Sequence, residues 1–258
     1  MSTSARRLEF FLALILGICI AAPAFAADIY DAAVAHAGRR PADLKRDVTD
    51  RPADVLRLSG IKPGMQVADF LAADGYYSEL LSYVVGDTGH VLLLNNVPYD
   101  RFVKDVWKER IEKQHLTNVE HRTIDPVQMG LKDASLDAVV LVKVYHDLYW
   151  VAPKDGWPKI DVPTVLDQLA HALKPGGILV VVDHSAKPGS GSSAASSLHR
   201  IDEAFMRKDF ESHGFGFVAK SNVLRRPDDK LDKISFEGPM VGKTDRFVYV
   251  FRKEDGAH

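Results

Sequence analysis

Short apolar runs alternate with longer amphipathic ones over most of this chain. Strand candidates lie at Gln66 to Phe70, His90 to Leu94, Val119 to Thr123, Ala138 to Val144 and Ile178 to Val182, and all but the polar third are largely apolar. Strands of a parallel sheet covered on both faces read this way, because neither side of the strand meets water. Between them, Tyr76 to Val85, Phe102 to His115 and Val162 to Leu173 read as helices. The last carries Val165, Leu166, Leu169, Ala172 and Leu173 at helical spacing and stops at Lys174-Pro175-Gly176-Gly177, where proline cannot continue a helix and glycine permits the turn. A helix at Ile201 to His213 and strands at about Phe217 to Leu224 and Asp245 to Arg252 complete the pattern. Strand-helix alternation of this kind predicts a doubly wound, Rossmann-like α/β sheet with helices on both faces.

Two stretches fall outside the alternation. Residues 27–58 form a polar, helix-prone leader with Asp47 and Asp50 in a charged stretch, and residues 186–199, rich in Gly and Ser, read as a flexible loop. Ahead of both, Arg6 and Arg7 precede the apolar segment Phe10 to Ala22, and Ala24-Phe25-Ala26 supplies a small-x-small cleavage pattern. Residues 1–26 are therefore expected to be a signal peptide, with the mature chain starting at Ala27 in the periplasm or outside the cell. The apolar run is shorter than the roughly 20 residues a membrane span needs, and the bulky Ile18 before Cys19 argues against a lipid anchor.

Cleavage removes the one cysteine, so neither a disulfide nor a thiolate metal site is expected. With 46% hydrophobic residues in the whole chain, residues 27–258 suffice for one domain with one core. The formal net charge is −2, and losing Arg6, Arg7 and Glu9 with the leader takes it to −3, which offers no basic field for nucleic acid.

Candidate chemistry lies at the strand ends, where open α/β sheets bind ligands. The first strand ends at Asp69-Phe70 and turns through Leu71 to Gly75 into a helix; the second ends at Asn95-Asn96. The fourth runs into Tyr145-His146-Asp147 and the fifth into Asp183-His184, so two acids and two histidines should converge, with His146 and His184 within about 10 Å of each other. His199-Arg200 follows the Gly/Ser loop and is placed to close over them. Each also has a plainer role open to it: Asp147 as a helix cap, His184 in a turn, Arg200 in a surface pair. Trp150 and Trp157 either wall a substrate or pack their own loop, and the remaining histidines from His36 to His213 read as surface or packing positions.

In this order the motifs VADFLAADGYYSELL, GHVLLLNN, LDAVVLVKVYHDLYW, LKPGGILVVVDHS and HRIDEAFMRKDFESHGF resemble those of the class I S-adenosylmethionine-dependent methyltransferases, and more closely exported bacterial methyltransferase-like proteins. The resemblance covers about residues 50–252. It implies a seven-stranded sheet with an antiparallel last strand, S-adenosylmethionine as cofactor, and a small-molecule acceptor. The donor would lie among Asp69, Leu71, Ala73, Gly75, Asn95 and Asp125, with His146, Asp147, His184 and Tyr145 on the acceptor side. Two departures stand out. Leu71 and Ala73 occupy the first two glycine positions of the family's first motif, and Asn95 stands where an acidic residue usually binds the ribose hydroxyls. Both predict weak donor binding, and they leave open a ligand-binding protein on the same fold. A metal-dependent enzyme using His146, Asp147, His184 and His199 ranks third, because those residues lack a diagnostic ligand spacing and no metal is assigned from sequence.

Overall fold

The computed structural model describes residues 28–254; the expected signal peptide lies outside them. Three leader helices come first: α1 (Ile29–Val34), α2 (Pro41–Asp50) and α3 (Pro52–Ser59). Then follow β1 (Gln66–Phe70), α4 (Tyr76–Val85), β2 (His90–Asn95), α5 (Val97–Val103), α6 (Val106–Lys113), β3 (Val119–Thr123) and β4 (Leu136–Val142). The rest is α7 (Val162–Ala172), β5 (Leu173–His184), α8 (Ala195–Leu198), α9 (Glu203–Ser212), β6 (Phe215–Ser221) and β7 (Arg246–Lys253). No helix among the described residues is long and apolar enough to cross a membrane.

The seven strands form one sheet in the order β3-β2-β1-β4-β5-β7-β6. The first five are parallel, and β7 runs antiparallel to both neighbours, β5 and β6. Side chains alternate between two cores, as strand geometry requires. Along β4, Val139 and Leu141 join Leu94, Leu166 and Phe251 on one face, while Ala138 and Val140 join Val67, Leu80 and Val250 on the other. The order reverses between β2-β1 and β4, and that switch leaves a crevice at the carboxyl edge.

Three expectations are corrected. The helix expected over Phe102 to His115 is two helices, broken at Lys104 with φ 53°, and the first begins earlier because Asn96 caps it and Pro98 suits its first turn. The LKPGG turn is taken into β5 as a bulge: Leu173 pairs with Leu136 and Ile178 with Ala138, and the residues between them loop out. The segment expected to be a flexible loop contains α8, and Asp202 holds its turn by accepting hydrogen bonds from the amides of Gly189 and Gly191.

Candidate active site

The turn after β1 keeps the backbone of a glycine-rich loop without most of its glycines. Leu71, Ala73 and Gly75 have φ of 52°, 53° and 78°, so all three sit in the left-handed region, which costs a non-glycine residue roughly 1–2 kcal/mol. The Leu71 side chain is buried in the core beside Phe70, so the expected clash is largely avoided by sending it inward, although it still touches the cavity above the turn. At Gly75 the requirement is steric as well: a Cβ there would meet Leu93 Cδ1 at 2.8 Å.

Asn95 fastens this turn. Its Oδ1 accepts from Ala73 N at 2.9 Å, and its Nδ2 donates to Ala73 O at 3.0 Å and to Asp100 Oδ1 at 2.9 Å. The side chain is wholly buried, and both hydrogens of its Nδ2 are taken by the protein. The expected ribose role is therefore not open to Asn95 in this conformation.

Asp69 is also buried, accepting a hydrogen bond from Ser78 Oγ at 2.7 Å. Burial pushes its carboxyl up to about 7, against the opposing effect of the Ser78 bonds. Over the turn lies a cavity of about 150 Å³ lined by Asp69, Leu71, Ala73, Tyr76, Tyr99 and Lys143. A larger cavity, about 480 Å³, opens beyond the ends of β2 and β3 and is lined by Asn96, Ile124, Asp125 and Trp157 among others. Asp125, expected at the donor, faces this larger space.

The leader closes the first cavity from above. The Arg46 guanidinium lies 3.8 Å from the centre of the Tyr76 ring and bonds Asp50 Oδ2 at 2.8 Å. Asp50 also receives Lys143 Nζ and Arg246, so one buried carboxylate gathers three cations and is held far below the usual carboxylate range. Alongside, the buried Arg110 binds Asp43 at 2.7 Å and Asp74 at 2.8 Å, and also Glu79. Burial, with Arg46 repulsion added, brings Lys143 down to about 8.

The polar cluster expected at the ends of β4 and β5 is present and compact. His146 donates its backbone amide to Asp183 Oδ2 at 2.8 Å, and its Nδ1 meets Asp183 Oδ1 at 2.7 Å. Its Nε2 lies 3.2 Å from Asp147 Oδ1, and His199 Nδ1 approaches the same oxygen at 3.3 Å. Tyr99 donates its hydroxyl to the other oxygen, Asp147 Oδ2, at 2.6 Å. The His146 and His184 rings are 5.9 Å apart, on one side of the sheet as expected. Burial opposes charging of His146, but the Asp147 and Asp183 carboxylates outweigh it and raise its pKa to about 10. His184 is pushed the other way by burial and by the neighbouring His146 charge, and its Nδ1 is paired with Thr244 Oγ1 at 2.8 Å.

Other expected residues are placed differently. The Tyr145 hydroxyl goes to Asp209 and Tyr149, and its ring packs on Phe210 at 5.0 Å, so the core claims it rather than the histidine cluster. Arg200 is buried against Ser185 O and Asp229 and braces the loop behind His199. Trp157 donates Nε1 to Asp147 O at 2.9 Å, while the Trp150 ring stands 5.2 Å from that of His199. The histidine cluster is buried, at 4% exposure for His146 and 7% for Asp147, where a cleft rim was expected. Sequence reasoning missed Tyr99, which reaches both the cavity over the turn and Asp147. The cap at Asn96 followed by Pro98 was the available signal for its helix.

With this geometry in view, a family model described as a methyltransferase domain matches residues 72–181. The chain is 26% identical over 181 residues to the ubiquinone/menaquinone biosynthesis C-methyltransferase UbiE of Teredinibacter turnerae, covering 69% of this chain and 67% of that protein. Its counterpart in Hydrogenovibrio crunogenus is 23% identical over 67% of this chain and 58% of its own length. Among solved structures, a SAM-dependent methyltransferase from Aquifex aeolicus superposes with a TM-score of 0.58 at 20% identity, over 83% of this chain and 94% of that one. Geranyl diphosphate C-methyltransferase from Streptomyces coelicolor, solved with S-adenosyl-L-homocysteine, gives 0.59 at 11% identity over 82% of each chain. Together these likenesses support a place in the class I S-adenosylmethionine-dependent methyltransferase superfamily, and S-adenosylmethionine is the cofactor that goes with this class.

Proposed function

We propose that this protein is an exported methyltransferase that uses S-adenosylmethionine weakly and acts on a small molecule held at the histidine cluster. The observation that carries the reading is Tyr99. Its ring lines the cavity over the β1 turn and its hydroxyl binds Asp147, so one residue joins the donor side to the acceptor side. The left-handed Leu71 and Ala73 add support, since a strained turn is kept where the class places its donor loop.

The left-handed turn matches the class's donor loop in backbone, whereas Asn95 is engaged by the protein. When bound, S-adenosylmethionine supplies an electrophilic methyl group. Asp69, the Ala72-Ala73 backbone and Tyr76 would hold its amino-acid end, and the larger cavity by Asp125 and Trp157 would take its ring system. His146, fixed by Asp183, positions the acceptor with Asp147, and His184 presents a neutral imidazole for its proton. Dissociation constants for S-adenosylmethionine and S-adenosylhomocysteine of tens of micromolar or poorer are expected by calorimetry, because no acid meets the ribose; a submicromolar value contradicts this reading.

A second reading, a small-molecule-binding protein without methyl transfer, is favoured by the small space over the turn: about 150 Å³ against the roughly 300 Å³ at which ligand pockets usually begin. Folded protein that binds neither compound at millimolar concentration supports it. Export rests on Arg6-Arg7 and Ala24-Phe25-Ala26. Amino-terminal sequencing of protein from the periplasmic fraction should start at Ala27, and an uncleaved chain retained in the cytoplasm counts against export.

A further inference from the structure

We propose that His146, Asp147 and His199 form a binding site for a divalent transition ion of the zinc type. One ligand atom from each lies within 4.8 Å of the other two. Asp147 Oδ1 faces His146 Nε2 at 3.2 Å and His199 Nδ1 at 3.3 Å. An ion bonded at about 2.0 Å to tetrahedrally disposed ligands separates neighbouring ligand atoms by about 3.3 Å, so both spacings match an edge of such a shell.

The surroundings are those of a metal site. His146 Nδ1 is held by Asp183 Oδ1 at 2.7 Å, which fixes its proton there and turns the Nε2 lone pair toward Asp147. Tyr99 occupies Asp147 Oδ2, leaving Oδ1 for the ion. Two carboxylates, Asp147 and Asp183, balance a charge of +2 in a buried place. Two imidazoles and one carboxylate suit zinc, cobalt(II) or iron(II), and leave at least one position for water or an acceptor oxygen. His199 is the least buried of the three, its ring beside those of Trp150 and the exposed Phe236. The sequence offered these three with His184 as metal candidates but without a diagnostic spacing, because His199 is brought in from 52 residues away.

A protonated His146 between its two carboxylates could make the same contacts without an ion, and the experiment separates the two. The purified chain, free of any polyhistidine tag and stripped with chelator, is titrated calorimetrically with zinc chloride, with no donor present. One equivalent should bind with a micromolar or tighter dissociation constant. His199→Ala, at a half-buried position that should leave the fold intact, should weaken binding at least 100-fold, and Asp183→Asn by about 10–100-fold. His213→Ala, paired with Asp167 elsewhere, should change nothing. Cobalt(II) should give the visible absorption of a low-coordinate nitrogen/oxygen site in the unaltered chain, a readout that needs no variant. Folded protein that binds no zinc, or binding that His199→Ala leaves untouched, overturns the proposal and makes the cluster a proton-held one. Since no donor is involved, failure here leaves the methyl-transfer reading standing, and the reverse also holds.

Discussion

Replacing Asp69 by asparagine should make the protein more stable at pH 8 and leave it unchanged at pH 4. Burial raises this carboxyl from 3.8 to about 7, so the fold prefers the neutral form. For a group whose folded pKa is raised, the associated stability is complete below 3.8 and is lost as pH climbs to 7. Three pK units correspond to about 4 kcal/mol, a large share of the roughly 5–15 kcal/mol a domain possesses. Asparagine keeps an oxygen to accept from Ser78 Oγ and never ionises, so the variant should gain about 1.4 kcal/mol per pH unit over that window and then level off. Urea unfolding of both proteins at pH 4 to 8 measures the difference. Asp43, held at about 2 by Arg40 and Arg110 against its burial, loses its contribution only below pH 4 and stays out of the window. His146 titrates alike in both proteins and cancels. An asparagine variant no more stable at pH 8 than wild type would show that Asp69 is ionised in the fold, with Arg46 as its partner, and would refute the argument.

Ala73→Gly should stabilise the protein by about 0.5–1 kcal/mol, since glycine adopts φ 53° freely, whereas Leu71→Gly should destabilise it by about 2–4 kcal/mol because a buried side chain is lost; thermal unfolding distinguishes them. Asn95→Asp, which the family pattern would suggest as a repair of donor binding, should instead cost about 2–4 kcal/mol by setting a carboxylate against Ala73 O and Asp100 Oδ1, read by the same unfolding assay. Asp50→Asn should cost about 3–5 kcal/mol in urea unfolding, because Arg46, Lys143 and Arg246 lose the one anion they share.

The middle of the sheet was legible because β1, β2, β4, β5 and β7 are largely apolar runs, while the outer strands β3 and β6 are polar and half exposed. The convergence of His146, Asp147, Asp183 and His184 was legible too, since adjacent strands must end side by side. What could not be read were side-chain choices with two uses. Asn95 looks like a weakened ribose ligand, and only its three hydrogen bonds show it bracing the turn. Leu71 looks like an obstruction, yet the backbone accepts a left-handed angle and the side chain turns into the core. Tyr145 adjoins His146 in sequence but packs on Phe210. Asp50 is visibly charged in the leader, while its partner Arg246 lies 196 residues away, a distance at which no local pattern points.

That last pairing, with β7 seated between β5 and β6, bears on when the protein can fold. A chain emerging from synthesis can pair its first five strands early, but β6 has no neighbour until Arg246 to Lys253 arrives to separate it from β5. Until then Asp50 lacks the buried arginine that completes its charge balance, so the leader has reduced reason to settle over the donor turn. Closing contacts of such sequence separation is slow. This strand thus acts as a timer: the leader settles and the sheet is completed only once Arg246 to Lys253 are available, and a growing polypeptide remains pliable until then.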